Sequence, residues 1–273
     1  MKVSVITTVY NRPEHFRLML AALAAQSRRP DEVVVADDGS SVAEAGAVRA
    51  LAAASPIPCT VVRQEKDGYR LAAARNLAIR AATGDYLVFA DCDIALLPDA
   101  IETHLRLAAP KRLLAGNRAL LGEDATARLF AARPAPSADG WEDAWHSADA
   151  SHLPPTQALF EHHAALRRWH LARPHKPKII GCHFSLFRDD VARVNGFDEN
   201  YVGWGYEDDD FARRLYKAGV RPASVILAAR AMHLWHPSLA PQELKHHRDR
   251  PNRAYFRRWF VPAFCSNGLV KKP

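Results

Sequence analysis

Apolar runs alternate with amphipathic stretches along the first hundred residues. Phe16, Met19, Leu20 and Leu23 recur at the i, i+3, i+4 and i+7 spacing of a helix face. The apolar runs predict strands at 3–9, 32–36, 60–64 and 87–90, and the stretches between them predict helices at 13–23, 42–54 and 71–81. Strands that alternate with helices in this way predict βαβ units and a mostly parallel sheet flanked by helices, an α/β fold.

The pattern changes after a further helix at 98–109. Residues 110–178 are rich in Ala, Pro, Trp, Arg and His, and they predict an irregular, mobile insertion. Order resumes with a strand at 179–187, a helix at 189–194, a helix that begins near 207 and a strand at 221–229. We therefore divide the chain into 1–109, 110–178, 179–239 and a basic, aromatic arm at 240–273.

The fourth predicted strand runs directly into Asp91 and Asp93. Ligands bind at the carboxyl ends of strands in open α/β sheets. Paired carboxylates there suit Mg²⁺ or Mn²⁺ shared with substrate phosphates. An isolated Asp-x-Asp can equally be a turn with solvated acids, so this motif alone leaves the choice open.

Composition narrows the class of protein. The 273 residues are 48% hydrophobic and 25% charged, as expected for a protein with a sizeable core. The four cysteines form no Cys-x-x-Cys pair, which argues against a disulfide framework or a zinc cluster and favours a reducing cytoplasm. The first strand begins at once, so no signal peptide is expected, and no apolar stretch approaches a membrane span.

The net charge of +7 permits an anionic partner, such as a membrane surface or an acidic glycan. No nucleic-acid-binding motif accompanies it, so no nucleic acid is expected as a partner. The first strand–helix turn lacks Gly-x-Gly-x-x-Gly, which argues against a dinucleotide oxidoreductase, and there is no phosphate-binding Gly-x-x-x-x-Gly-Lys motif either.

A second acidic group, Glu207 to Asp210, follows Gly203-Trp204-Gly205. Acidic residues in a first helical turn are ordinary capping chemistry. Four in a row exceed what capping needs, and the flexible loop with a large aromatic side chain before them is typical of a loop that closes over a ligand.

These motifs together resemble the GT-A-fold glycosyltransferases. The first part is similar to family 2 enzymes, especially the bacterial chondroitin-polymerase type, through Gly68 to Ile79 followed by Asp91-Cys92-Asp93. The second part is similar to the carboxyl half of the β-1,4-galactosyltransferases. That similarity lies in Asn195-Gly196-Phe197, Tyr201, Gly203-Trp204-Gly205 and Glu207 to Asp210. Asn11-Arg12 with Glu14-His15 is a weaker match.

The resemblance implies a UDP-sugar donor, a saccharide or lipid-linked glycan acceptor, and Mn²⁺ or Mg²⁺ as cofactor. It also implies roles by position. Thr8, Tyr10 and Asp38 hold the uracil and ribose with Arg70 nearby, and Arg12 approaches the diphosphate. Asp91 reaches the ribose or a metal-bound water, while Asp93 and His233 ligate the metal. Trp204 closes over the donor, Glu207 touches the donor sugar, Asp208 is the base and Asp209 contacts the acceptor.

Two positions depart from the family pattern. Arg230 stands where these galactosyltransferases have a methionine ligand, so the third metal ligand is left open. Gly181-Cys182-His183 replaces their Gly-Gly step before the acceptor region, which leaves the donor sugar and the acceptor open. Without the resemblance, His233 could equally be a surface or core histidine beside Trp235.

The expected function is metal-dependent transfer of a hexose or N-acetylhexosamine, with galactose or N-acetylgalactosamine favoured, in bacterial surface polysaccharide or lipopolysaccharide synthesis. Asp208 is expected to stay ionised because the helix dipole favours the anion. No second carboxylate is placed as a nucleophile, which favours inversion. A sugar-nucleotide pyrophosphorylase and an inactive glycan- or nucleotide-binding module are the alternatives.

The carboxyl-terminal arm interleaves arginines with aromatic residues between His246 and Phe264. This composition suits an interfacial segment at the inner face of the cell membrane. Phe256, Trp259 and Phe260 also have the spacing of a packing stripe, so a terminal helix docked on the catalytic domain is equally compatible.

Overall fold

The computed structural model describes residues 1–237 and 252–271. Its strands are β1 (Val3–Val9), β2 (Glu32–Asp37), β3 (Cys59–Arg63), β4 (Tyr86–Ala90), β5 (Ile94–Leu96), β6 (Arg112–Ala115), β7 (Ala119–Leu120), β8 (His183–Phe187), β9 (Arg221–Ser224) and β10 (Ala231–His233). Its helices are α1 (Pro13–Ala24), α2 (Val42–Ala53), α3 (Leu71–Ala81), α4 (Ala100–Leu107), α5 (Glu123–Ala131), α6 (Ala138–His146), α7 (Leu153–Arg168), α8 (Arg188–Arg193), α9 (Glu207–Lys217) and α10 (Asn252–Phe256).

Seven strands form the main sheet in the order β3-β2-β1-β4-β8-β6-β9. The pairs β1–β2, β2–β3, β1–β4 and β6–β9 are parallel, and β8 runs antiparallel to both β4 and β6. The predicted α/β fold with a mostly parallel sheet is therefore confirmed. The carboxyl ends of β1, β2 and β4 meet at one edge, where a ligand site is expected.

Alternation along the strands divides the core between the two faces of this sheet. On β1, Val3, Val5 and Val9 belong to the cluster that packs under α1, α2 and α4. Ile6 belongs to the opposite cluster, which contains apolar residues of α3, α7, α8 and α9. Both faces of the strands are thus covered, which explains their nearly continuous apolar sequence.

A small second sheet, in the order β5-β10-β7, carries part of the site. Strand β5 follows directly after Asp93, and its antiparallel pairing with β10 sets His233 opposite Ile94. This register brings the end of β10 beside the end of β4, although the two lie more than a hundred residues apart in the chain.

The prediction of an irregular segment at 110–178 is wrong. Two strands and the helices α5, α6 and α7 fill most of it. Their anchors are few but large: Trp141 is fully buried against the small sheet, and Leu153 and Phe160 pack into the core. The helices were missed because most of their other positions are polar, alanine or proline, which leaves little periodic signal.

Two further strands differ from the prediction. Strand β8 begins at His183 rather than at 179, and the strand predicted at 221–229 is confined to β9, followed by a turn before β10. Arg230 lies in that turn and donates two hydrogen bonds to Glu142 of α6, at 2.6 and 2.8 Å. It therefore takes no part in the metal site. No described helix is both long and apolar enough to cross a membrane.

The last described residues pack against the body of the protein. Asn195 donates hydrogen bonds from its amide to the carbonyls of Cys265 and Val270, both at 2.7 Å. Arg80 donates to the carbonyls of Gly268 and Leu269. The end of the predicted arm, residues 265–270, is therefore held against the catalytic domain by hydrogen bonds. The arginines at 248 and 250 lie outside the described residues.

A buried hydrogen-bonded chain crosses the sheet from β4 to β8. The Nδ1 of His183 lies 2.9 Å from the carbonyl of Asn117, which can only accept, so Nδ1 carries the proton and Nε2 accepts. His104 then donates from Nε2 over 2.9 Å and accepts at Nδ1 from Ser185. Tyr86 completes the chain by donating to Ser185 at 2.7 Å. Both imidazoles are neutral in this arrangement.

We expect this chain to make the stability fall at acid pH. Burial lowers the pKa of His183 to about 4 and lowers that of His104 well below its usual range. The unfolded chain binds protons at both sites below about pH 6.5 while the folded protein does not, so the free energy of unfolding decreases from there to about pH 4. Each imidazole contributes up to about 1.4 kcal/mol per pH unit.

Urea unfolding of His104→Phe tests this. Removing the central imidazole leaves the Ser185 hydroxyl without its acceptor and Nε2 of His183 without its donor, and it is expected to lower the free energy of unfolding by about 1–3 kcal/mol at pH 7. The exposed His146 provides the matched control, His146→Phe. A pH dependence between 6.5 and 4 that is the same in wild type and in His104→Phe would contradict the assignment.

Candidate active site

The ends of β1 and β2 bring the predicted uridine-binding residues together. Thr8 pairs with Ala36 in the parallel register, and Asp38 donates its backbone N–H to Val9. Asp38 accepts hydrogen bonds from Gln64 at 2.6 Å and Lys66 at 3.4 Å. The Lys66 ammonium also lies 3.6 Å from the centre of the Tyr10 ring. Gln64 and Lys66 were missed because they lie in an irregular loop without a motif.

Arg70 lies beside this group, immediately before α3. Its guanidinium donates to the carbonyl of Glu65 and lies 3.8 Å from Asp67. Gln64 donates to the carbonyl of Arg70 at 3.4 Å, so the loop from β3 to α3 closes on itself. Gln64 thus contacts both Asp38 and the Arg70 backbone, whereas the Arg70 guanidinium contacts groups of its own loop.

Asp93, His233 and His236 form a cluster that could hold a metal ion. One ligand atom from each lies within 4.8 Å of the others. The Nε2 of His236 is 3.1 Å from the Asp93 carboxylate, and the Nε2 of His233 is 3.8 Å from it. Asp93 and His233 were predicted from the sequence as metal ligands, but His236 was not. The available signal was the pair of histidines three residues apart directly after the last strand.

Arg12 contacts the same cluster from the start of α1. It donates to Asp93 at 3.0 Å and lies 2.8 Å from Nδ1 of His236. Burial raises the pKa of Asp93, but the hydrogen bond from His236 and the charge of Arg12 outweigh it and hold the pKa below its usual range. Asp93 is thus ionised at neutral pH. Burial lowers the pKa of His233 to about 4, which leaves this imidazole neutral.

Arg75 joins the other two acidic positions of the site. Its buried guanidinium lies 3.2 Å from Asp91 and 3.6 Å from Glu207, which come from β4 and α9. It also donates to the carbonyl of Gly181 at 3.0 Å. A Cβ at Gly181 would lie 2.7 Å from this guanidinium, so any other residue there would displace it. Arg75 lies within the motif from Gly68 to Ile79, but no role was predicted for it.

The loop before α9 has an unusual backbone. Gly203, Gly205 and Tyr206 all have positive φ, between 76° and 94°. Gly203 donates its N–H to the carbonyl of Tyr69, and Asn252 donates to the carbonyls of Gly203 and Gly205. These turns place the Trp204 side chain at the cleft and start α9 at Glu207. Trp204 is 36% exposed, in keeping with a residue at the rim.

The four acids of α9 have different surroundings. Asp210 is fully buried with Arg213 and Arg214 at 2.7 and 2.6 Å, so its role is structural. Asp209 pairs with Lys178 at 2.6 Å. Asp208 accepts from the N–H of Gly181 at 3.1 Å and faces the cleft.

The pKa of Asp208 is raised rather than lowered, although the helix start favours the ionised carboxylate. Its burial and the neighbouring Asp209 raise the pKa of Asp208 and outweigh the charge of Arg75. Burial and the charge of Asp208 raise the pKa of Glu207 to about 7. A carboxyl group whose pKa is shifted toward neutrality is a better proton acceptor at physiological pH than an ordinary aspartate.

A cleft of about 370 Å³ opens beside these acids. Helix α7 supplies one wall, and the loop from Trp204 to Asp209 supplies the other. Among the described residues, Glu207 Oε2, Asp209 Oδ1 and Arg75 Nη1 are buried side-chain atoms that have no hydrogen-bond partner. Buried polar groups are normally paired, so these atoms have hydrogen-bonding capacity that a bound polar group could satisfy.

Comparison with known proteins agrees with this geometry. Residues 4–192 match the family model described as glycosyl transferase family 2, and residues 161–237 match one described as the N-terminal domain of galactosyltransferase. The chain is 29% identical to a chondroitin synthase of Escherichia coli over 80% of its own length and 32% of that protein. It is 30% identical to a validoxylamine A glucosyltransferase of Streptomyces hygroscopicus subsp. limoneus, over 80% of this chain and 48% of that protein.

Solved structures show the same fold. S. aureus TarS in complex with UDP-GlcNAc aligns with a TM-score of 0.58 at 18% identity, covering 87% of this chain and 60% of that one. A mannosyltransferase from Pyrobaculum calidifontis in complex with GDP-Man and Mn²⁺ gives 0.57 at 23%, covering 85% and 56%. The chain spans about a third of the length of the chondroitin synthase and about half of the length of the validoxylamine A glucosyltransferase. It belongs to glycosyl transferase family 2 and has the GT-A fold of such glycosyltransferases.

Proposed function

We propose that this protein is a metal-dependent, inverting glycosyltransferase. It transfers a hexose or N-acetylhexosamine, with galactose or N-acetylgalactosamine favoured, from a UDP-sugar to a hydroxyl group of a saccharide acceptor. The observation that supports this most is one sheet edge where a metal-ligand cluster, the Arg75 ion pairs and a half-buried aspartate meet beside a cleft with unpaired polar atoms. The solved structure of TarS with UDP-GlcNAc supports a UDP-sugar as donor.

The donor nucleotide occupies the ends of β1 and β2 in this proposal. Tyr10 and Thr8 contact the uracil, and Asp38 holds the ribose with Arg70 nearby. Lys66 adds a cation that Asp38 and the Tyr10 ring already position. Arg12 reaches the diphosphate, since its guanidinium lies between α1 and the metal-ligand cluster.

The residues present fit a divalent metal ion. Asp93 supplies an anionic oxygen, and His233 and His236 supply imidazole nitrogens. The Nε2 of His236 lies 3.1 Å from the Asp93 carboxylate, close enough for both to ligate one ion. Two imidazoles favour a first-row transition ion such as Mn²⁺ over Mg²⁺, which prefers oxygen. When bound, the ion neutralises charge that develops on the leaving diphosphate.

Asp208 takes the proton from the attacking hydroxyl group. It lines the cleft next to Asp209, whose unpaired Oδ1 accepts a hydrogen bond from the acceptor, and next to Glu207, whose Oε2 does the same for the donor sugar. Asp91 stays bound to Arg75 and orients the ribose side. None of these carboxylates is assigned as a nucleophile that attacks the sugar. The reaction is therefore a single displacement that inverts the configuration at C1.

A panel of UDP-sugars tests this function. We expect slow Mn²⁺-dependent UDP release from one UDP-hexose or UDP-N-acetylhexosamine, accelerated by a saccharide acceptor. A sugar-nucleotide pyrophosphorylase would consume the UDP-sugar only with pyrophosphate. An inactive binding module would bind UDP in isothermal titration, with or without Mn²⁺, but release none from any donor.

The acceptor belongs to bacterial surface polysaccharide or lipopolysaccharide synthesis in this proposal, and the enzyme works in the cytoplasm at the inner face of the cell membrane. The support is a small aromatic and basic surface after α10. Trp259 is fully exposed and Phe260 is 67% exposed, with the exposed Arg257 beside them. Exposed aromatic side chains among cations suit an anionic interface, where each cation contributes about 1 kcal/mol.

We expect weak, salt-sensitive co-sedimentation with anionic vesicles. Trp259→Ser combined with Phe260→Ser is expected to abolish it, because these side chains provide the apolar contact. Leu227→Ser removes an exposed apolar side chain elsewhere and is the control. No binding of the wild-type protein at low salt would leave the arm with its structural role alone and would favour a soluble acceptor.

A further inference from the structure

The cleft beside Asp208 has walls of opposite charge. The loop before α9 and the first turn of α9 supply Glu207, Asp208 and Asp209. The facing wall carries Lys176 and Lys178, together with His163 of α7. The acids are explained by the proposed reaction, whereas the cations are not, because neither a proton acceptor nor a neutral sugar needs them.

These cations are not fully compensated by the protein. Lys178 is paired with Asp209 at 2.6 Å. Lys176 has no ion-pair partner within the described part of the chain. After the larger effect of burial, Lys178 lowers its pKa, the Asp209 carboxylate raises it and Arg173 lowers it, so one carboxylate serves two lysines. The same crowding acts on His175, where burial and then Lys176 lower the pKa to about 4.

The loop that carries Lys176 is held firmly in place. Arg167 of α7 donates hydrogen bonds to the carbonyls of Arg173, Pro174 and Lys176, at 2.5 to 2.9 Å. Tyr216 of α9 donates to the carbonyl of Pro177 at 2.9 Å, and its ring lies under the Arg167 guanidinium at 4.4 Å. The fixed loop holds Lys176 at the cleft, where an anion would stabilise its half-buried ammonium group beside the other cations.

We propose that the acceptor saccharide carries an anionic group, a carboxylate or a phosphate, and that Lys176, with Lys178 beside it, binds this group. The acceptor then spans the cleft, with its anionic group on the α7 side and its reacting hydroxyl group at Asp208. Leu159 and Phe160, which line the same wall, provide an apolar surface for the sugar ring. This inference rests on the proposed function, since it takes the cleft to be the acceptor site.

Matched acceptors test the inference. Methyl glucoside and methyl galactoside are each supplied with a neutral hydroxymethyl group, a carboxylate or a phosphate at C6, in the presence of Mn²⁺ and the UDP-sugar panel. We expect a KM for the anionic acceptors about 10-fold or more below that of the neutral ones, the difference that one charge-assisted hydrogen bond provides. The carboxylate and phosphate arms distinguish the two sources of charge.

Lys176→Gln is expected to remove this preference. The KM of the anionic acceptors should rise about 10-fold, while that of the neutral acceptors, kcat and acceptor-free UDP release stay unchanged. Arg168→Gln, an exposed cation at the end of α7, is the matched control. Ligand-observed NMR with the same glycosides and UDP-loaded protein gives the comparison independently of turnover.

Equal KM values and equal NMR binding for neutral and anionic glycosides would overturn the inference, as would an effect of Lys176→Gln on all acceptors alike. Absence of UDP release from every donor is a different result, because it contradicts the proposed function itself. Tighter NMR binding of the anionic glycosides that Lys176→Gln abolishes would still support an anion site in that case.

Discussion

Replacing Asp208 with asparagine is expected to lower kcat for sugar transfer by about 100-fold or more, with UDP affinity nearly unchanged. The variant keeps the shape of the side chain and its contact with the N–H of Gly181, but it cannot accept a proton. Stopped-time transfer assays and isothermal titration with UDP measure the two quantities. Asp189→Asn, at an exposed position in the first turn of α8, is the matched control.

The pH profile adds a second readout of the same group. Activity requires the ionised carboxylate of Asp208, so the rate is expected to fall as the pH decreases through its pKa. This pKa is raised above that of an ordinary aspartate, which is about 3.9. The residual activity of Asp208→Asn should lack this acid limb. A wild-type rate in Asp208→Asn would place the base elsewhere. Asp209 would then be the next candidate, since the ion pairs of Asp210 with Arg213 and Arg214 make it structural.

Replacing Asp93 with alanine is expected to weaken Mn²⁺-dependent UDP binding about 100-fold or more. Asp93 is the one anionic member of the cluster, and both imidazoles lie against its carboxylate. His233→Ala and His236→Ala are each expected to weaken it about 10- to 100-fold, the range found when a metal site loses an orienting or ligating group. Isothermal titration with UDP, with and without Mn²⁺, measures the difference.

His146→Ala is the control, because it removes an exposed histidine far from the cluster in the chain. UDP affinity that depends on Mn²⁺ to the same extent in wild type and in Asp93→Ala would refute the proposed metal site. A loss in His233→Ala without one in His236→Ala would restrict the site to the two ligands that the family resemblance implies. Stronger support of binding by Mg²⁺ than by Mn²⁺ would argue against two nitrogen ligands.

Local patterns determined much of the fold and one half of the site. The alternation of β1 to β4 with α1 to α3 could be predicted from the sequence. The strands are apolar runs buried in the central sheet, and the helices pack an apolar face on it. The placement of Thr8, Tyr10, Asp38, Asp91 and Asp93 follows directly, since each comes at the carboxyl end of a strand. The motif around Glu207 likewise placed a helix start at the observed residue.

The family resemblance predicted that Asp93 and His233 share a metal site, but only the tertiary structure added His236 to them. The pairing of β5 with β10 sets His233 and His236 against Asp93, and residues 143 positions apart in the chain, Asp93 and His236, come within 3.1 Å. The helices of 110–178 have too few apolar positions to be predicted, yet α7 forms one wall of the cleft.

The electrostatic character of the site was also beyond the sequence. A helix dipole can be inferred from the position of Asp208 in its helix, and it favours the carboxylate. Asp208 is half-buried where α9 meets Arg75 of α3 and the backbone of Gly181. This burial, together with the charge of Asp209, raises the pKa of Asp208 despite the opposing charge of Arg75. Sequence periodicity reports how each segment packs, whereas charge, burial and metal ligation depend on contacts between segments, and these exist only in the folded chain.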